Sequence, residues 1–188
     1  MHADGDIYEG EWKEDMAHGY GKYTHADGTI YEGSWHEDKQ HGFGIEYWPD
    51  GAYYKGNFED GLKQGDGILV FSEGSIYKGQ FWNNEINGYG IYKWNDGKIF
   101  TGEWKDNKMN GEGHLQWTDG RDYKGTFRDD KRHGFGTFKW RDGRIYRGQW
   151  VHGKQHGVGY FKPANSTEEL VGEWNNGVRI KWIEKDSD

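Results

Sequence analysis

Four histidines, His18, His41, His133 and His156, are the residues of this chain best suited to act as bases or metal ligands. Each immediately precedes a glycine, and the same position is filled elsewhere by Asn87 and Asn110. A hydrogen bond that stabilises a turn is a role both residue types can fill, whereas proton transfer is not. The carboxylates are spread through loops, and no Ser/His/Asp arrangement stands out. Asp106-Asn107-Lys108-Met109-Asn110-Gly111 has the outline of a calcium loop, but Lys108 stands at a ligand position and Trp117 where a bidentate glutamate belongs. Paired glycines such as Gly19/Gly21 are not phosphate loops, because no helix start follows them. Without a cysteine in 188 residues, disulfides and thiolate metal sites are excluded. The expectation is a chain with no catalytic, cofactor or metal-binding residues.

Cations offer a second kind of chemistry. Residues 1–120 carry a net −12, residues 121–162 a net +7, and the last 26 residues −3. Screening acts over about 8 Å in physiological salt, so an anionic partner senses its local segment and not the total. Arg121, Arg128, Lys131, Arg132, Arg141, Arg144 and Arg147 are therefore the candidate contacts for an anionic lipid surface. Nucleic acid is not expected, given the acidic remainder.

What must position these groups is periodic. The element aromatic-x-Gly-x-aromatic begins at Tyr8, Tyr31, Tyr54, Tyr77, Phe100, Tyr123 and Tyr146, every 23 residues. A Gly-x-Gly pair recurs in step, from Gly19/Gly21 to Gly157/Gly159, and Leu170-Val171-Gly172-Glu173-Trp174 is a late, imperfect eighth copy. A fixed period of this length indicates an array of one supersecondary unit. Only 32% of the chain is apolar, yet 18% is aromatic and 32 residues are glycine. This composition fits a folded chain without a large aliphatic core. No segment has a helical apolar period, and short β-favouring runs alternate with turns. The predicted fold is all-β: an elongated single-layer antiparallel meander of tandem hairpins, about fifteen strands and some 70 Å long at about 4.8 Å per strand.

The odd period constrains the register, because side chains alternate faces along a strand. A six-residue loop, Lys13 to His18, is expected to set Trp12 opposite Gly19, Gly10 opposite Gly21 and Tyr8 opposite Tyr23. A three-residue Ala26-Asp27-Gly28 connection, with Gly28 left-handed, restores parity, so every copy presents the same face. Gly21 then faces Gly33, and Tyr23 faces Tyr31. On that face aromatic rings lie over a row of glycines. On the other, mostly charged face stand Tyr20, Phe43, Tyr89 and Phe135, for which this register gives no account. In the short turns, Trp94, Trp117 and Trp140 stand opposite Lys98, Arg121 and Arg144, a cation–π arrangement. Arg128, Lys131 and Arg132 fall at the long-loop edge, which makes a basic end and not a pocket.

The pattern Tyr8-Glu9-Gly10-Glu11-Trp12 through His18-Gly19-Tyr20-Gly21, repeated as Tyr146-Arg147-Gly148-Gln149-Trp150 through His156-Gly157-Val158-Gly159, resembles the MORN (membrane occupation and recognition nexus) repeat. The likeness covers residues 5 to 162 in seven copies. Residues 163–183 read as a degenerate eighth repeat capping the array, and residues 184–188 as a polar tail. Gln64, Asp66 and Glu112 depart from the pattern and alter only the local surface. The resemblance implies a scaffold that binds protein partners, self-associates, or sits at membranes or cytoskeletal structures. Phosphoinositide binding is also proposed for the family.

Residue chemistry and resemblance together give two expectations. The first is a non-catalytic scaffold holding a peptide or helix in an aromatic groove of Tyr31, Trp35, Tyr54, Phe58, Tyr77, Phe81, Phe100 and Trp104, with pairing into a homodimer. Truncating Tyr77 and Phe81 should then weaken partner capture without unfolding the array. The second is a peripheral module that docks on anionic phospholipid through repeats six and seven. No apolar run spans a bilayer and no signal-peptide pattern precedes Tyr8, so the expected location is cytoplasmic, at the cytoskeleton, a cilium or the cytoplasmic face of a membrane. The short lead from Met1 fits a piece excised from a longer chain.

Overall fold

The computed structural model describes residues 4–184. Those residues contain sixteen strands and no helix. The first compact unit, residues 1–95, holds β1 (Ile7–Lys13), β2 (Met16–Thr24), β3 (Ile30–His36), β4 (Lys39–Tyr47), β5 (Tyr53–Glu59), β6 (Leu62–Val70), β7 (Ile76–Trp82) and β8 (Glu85–Lys93). The second, residues 96–188, holds β9 (Ile99–Lys105), β10 (Lys108–Gln116), β11 (Asp122–Arg128), β12 (Lys131–Lys139), β13 (Ile145–Val151), β14 (Lys154–Lys162), β15 (Leu170–Asn175) and β16 (Val178–Ile183). Within each unit every strand pairs antiparallel with the next in chain order. The predicted tail lies outside the described residues except for Glu184, which follows β16 without regular structure.

The short turn forms as the sequence indicates. His25 N–H bonds the Thr29 carbonyl, Gly28 N–H bonds the His25 carbonyl, and Gly28 adopts φ +95°. Tyr23 pairs with Tyr31 and Gly21 with Gly33.

The long connection differs. It is a two-residue turn in which Glu14 (φ 52°) and Asp15 (φ 63°) are both left-handed, the type I′ geometry that matches strand twist. Trp12 therefore pairs with Ala17, not Gly19, and a bulge between Gly10 and Trp12 takes up the extra residues. Gly19 (φ 91°) supplies the left-handed backbone of that bulge. The side chain before the second aromatic often covers it. Glu11 and Gln80 accept the N–H groups of Tyr20 and Tyr89, each at 2.7 Å.

The aromatic face is the core. Tyr31 lies edge-on between Trp35 and Phe58, both with ring centroids 5.1 Å away, and Tyr54 lies likewise between Phe58 (5.1 Å) and Phe81 (5.0 Å). Tyr123 sits between Phe127 and Trp150, and Tyr146 between Trp150 and Trp174 of the imperfect eighth copy. Each contact of this kind adds about 0.5–1.5 kcal/mol beyond the area it buries. The tyrosine hydroxyls donate to backbone carbonyls three residues on, Tyr31 to Ser34 at 2.7 Å and Tyr123 to Thr126 at 2.9 Å. The glycines make room for the rings: a Cβ on Gly44 would stand 2.4 Å from the Tyr31 hydroxyl.

Candidate functional site

The tyrosine face leaves little for a partner to touch. Tyr31, Tyr54, Tyr77 and Phe100 are fully buried, and Phe58, Phe81 and Trp104 are 3–6% exposed. Of the eight groove residues, Trp35 alone is half-buried, with its indole N–H on the Gly21 carbonyl at 3.1 Å. The open groove expected along this face is thus corrected: the rings close over the glycine row and over one another, because they are most of the apolar mass this face has to bury. Burial pushes the phenol pKa values of Tyr31, Tyr54, Tyr77 and Tyr123 up, and that of Tyr146 to about 12.

The opposite face holds the aromatics that the sequence left unexplained. Tyr20, Phe43, Tyr89 and Phe135 are each more than half exposed. They occupy the position between the paired glycines, where the neighbouring residues have no side chain to cover them. In the first unit two rows cross the strands: Ile45, Lys55, Ile68, Lys78 and Ile91 make one, and Phe43, Asn57, Asp66, Gln80 and Tyr89 the other. Asp66 stands where the repeats on either side carry Phe43 and Tyr89. The smaller side chain opens a concavity of about 670 Å³, with those rings at its ends and the backbone of Gly56, Gly67, Gly79 and Gly90 as its floor. The floor's N–H and C=O groups are engaged in the sheet ladder, so specificity must come from side chains. Lys55 and Lys78 line the concavity and form no ion pair among the described residues. The departure of Asp66 from the repeat pattern was visible in the sequence; the concavity it opens was not.

The seven candidate cations do not converge. Arg121 and Arg144 stack on Trp117 (4.9 Å) and Trp140 (5.2 Å) and pair with Asp119 (2.9 Å) and Asp142 (2.8 Å), as the short-turn pattern indicates. Arg147 lies on the second face over Tyr160 and pairs with Glu169 at 3.0 Å. Arg128, Lys131 and Arg141 are exposed. Arg132, expected at the loop edge, instead turns onto the tyrosine face against Trp150, Phe138 and Tyr123. The two-residue turn extends β12, and with the bulge it places this side chain inward.

The histidine position works between turns. Gln64 accepts the N–H of Asn83 at 2.9 Å and His133 Nδ1 that of His152 at 3.4 Å, each in the next long turn. His41 Nδ1 stands 3.9 Å from Asp60, while the buried Nδ1 of His156 has no hydrogen-bond partner among the described residues. Desolvation, with Arg128 nearby, lowers the pKa of His133. Among the described residues no group of three His, Cys, Asp or Glu side chains could hold a metal ion, and no helix is long and apolar enough to cross a membrane.

The family model described as MORN repeat matches residues 8–30, 31–53, 54–76, 77–99, 100–120, 123–143 and 146–165. No curated protein matches the chain. Among solved structures, the TCP domain of Drosophila melanogaster SAS-4 (dCPAP), in complex with a proline-rich motif of Ana2 (dSTIL), is similar with a TM-score of 0.52 and 9% identity, over 91% of this chain and 92% of that one. The wild-type TCP10 domain of Danio rerio CPAP, in complex with a peptide of Danio rerio STIL, aligns with a TM-score of 0.45 and 15% identity, over 89% of this chain and 80% of that one. At 9% identity the likeness to the SAS-4 domain is one of fold alone.

Proposed function

The chain belongs to the MORN repeat family, and from that premise we propose that it is a non-catalytic scaffold that holds an extended, proline-rich segment of a protein partner against the second face of its first unit. The observation that carries this reading is the concavity between Phe43 and Tyr89. Its glycine floor offers no free backbone hydrogen bonds, which suits a polyproline II segment whose own backbone forms none with the sheet. Exposed aromatic walls are what such segments pack against, and Lys55 and Lys78 favour an acidic residue within the segment. The SAS-4 domain, which shares the fold, holds a proline-rich motif, and this supports the choice of ligand.

The lipid reading is less favoured, because Arg121, Arg144 and Arg147 already have carboxylate partners and Arg132 is turned inward. Calorimetric titration with a synthetic proline-rich peptide carrying one glutamate tests the proposal. Saturable binding, weakened at least tenfold in the Phe43→Ala/Tyr89→Ala variant, is expected. Equal binding by that folded variant, or binding to phosphoinositide vesicles alone, contradicts it.

A further inference from the structure

Arg132 on β12 and Lys63 on β6 occupy the same position of the repeat, three copies apart. Both enter the tyrosine face. Lys63 Nζ lies 5.1 Å from the Trp48 ring and 5.4 Å from Tyr54. The Arg132 guanidinium carbon lies 4.5 Å from Trp150, 4.8 Å from Phe138 and 5.9 Å from Tyr123, the repeat equivalent of Tyr54.

Their electrostatic settings differ. Lys63 has a counter-ion inside the fold: Glu46 stands 3.9 Å away, and the two side chains are only 15% and 16% exposed. Three copies on from Glu46 the chain carries Leu115, which is buried. Among the described residues no carboxylate lies within ion-pair distance of Arg132, whose guanidinium donates a hydrogen bond to the Gly153 carbonyl at 3.1 Å. Burial, and next the like charge of Arg121, hold its pKa below the usual guanidinium value. A half-buried cation that lacks a counter-ion is costly, and flanking rings and one carbonyl offset only part of that cost.

Beside Arg132 is a cavity of about 390 Å³ walled by Trp117, Phe138, Trp140 and Trp150, with Lys154 also in its lining. We infer that this cavity takes the carboxylate side chain of an acidic residue from a protein partner, which supplies to Arg132 the counter-ion that Glu46 supplies to Lys63. A planar carboxylate matches the guanidinium fork, and the rings suit apolar residues on either side of it. A monoanion also fits better than a phosphate, since Arg121 is already bound to Asp119 and Lys154 is exposed to solvent, which leaves the half-buried charge of Arg132 to be matched. This site lies wholly in the second unit and does not depend on the concavity of the first.

The test uses the full chain and two blocked peptides, acetyl-Leu-Glu-Leu-amide and its Gln counterpart, followed through the Arg132 Nε–Hε and tryptophan indole resonances. The Glu peptide should shift the Arg132 resonance and bind at least tenfold more tightly than the Gln peptide. Leu115→Glu, which builds the missing carboxylate into the fold, should abolish that preference. So should Arg132→Gln and Arg132→Met, which keep the test decisive if the buried glutamate prevents folding. Equal affinity for the two peptides, absence of saturable binding, or a Glu preference that survives in the folded variants overturns the inference. Binding of inorganic phosphate or phosphoinositide vesicles through Arg132, without a preference between the peptides, overturns it as well.

Discussion

The two faces of the sheet obey opposite rules within each unit. On the tyrosine face the period is strict: Tyr31, Tyr54, Tyr77, Phe100, Tyr123 and Tyr146 are fully buried, each over bare glycine backbone. On the second face the same strands carry different residues from copy to copy, and the large ones, such as Phe43 and Tyr89, are exposed. A single layer of sheet can make only one of its faces into a core. The other is free to vary, and under the proposed function that variation from copy to copy would distinguish one partner from another.

The sharpest break in that comparison is expected on the tyrosine face. Tyr77→Ala should cost about 3–5 kcal/mol by loss of packing and of its hydrogen bond to Gln80, measured by urea denaturation. The sequence-based expectation that this truncation spares the fold is thereby reversed, because the ring is core. Valine at Gly90 should be comparably damaging, since its Cβ would stand 2.3 Å from the Tyr77 hydroxyl.

Alkaline pH should weaken the same face. The buried phenols have raised pKa values, so they favour folding fully below pH 10 and lose that contribution as the unfolded chain ionises first. Between pH 9 and pH 11 each should forfeit about 1 kcal/mol, with no comparable loss between pH 7 and pH 9. A flat denaturation midpoint up to pH 11 would show the rings to be open to solvent.

Smaller than truncating Tyr77 is the effect of unpairing Lys63. Glu46→Leu, which copies the Arg132 environment into the first unit, should cost about 1–3 kcal/mol, and Lys63→Met in the same chain should restore most of it. On the second face, Phe43→Ala and Tyr89→Ala should each change stability by no more than about 0.5 kcal/mol.

Much of the fold was legible in the sequence because the tyrosine face is periodic. Period, strand type, short turn and the Gly21–Gly33 and Tyr23–Tyr31 pairings all follow from residues that recur in step. The long turn was misjudged because Glu14-Asp15 is not a usual type I′ pair; Asp60-Gly61 and Asn176-Gly177, at the same position, carried the signal. The placement of Arg132 failed with it. The second-face concavity was not legible, since it arises from the absence of bulk at Asp66 and depends on Phe43 and Tyr89 standing two strands to either side.

Hydroxyl-radical footprinting of the intact chain, read residue by residue by mass spectrometry, compares the two faces in one sample. Tyr20 and Tyr89 should be oxidised at least tenfold faster than Tyr31, Tyr54 and Tyr77, residues of the same intrinsic reactivity. Equal rates, or faster oxidation of the repeat tyrosines, would contradict the assignment of one face to the core and of the other to solvent.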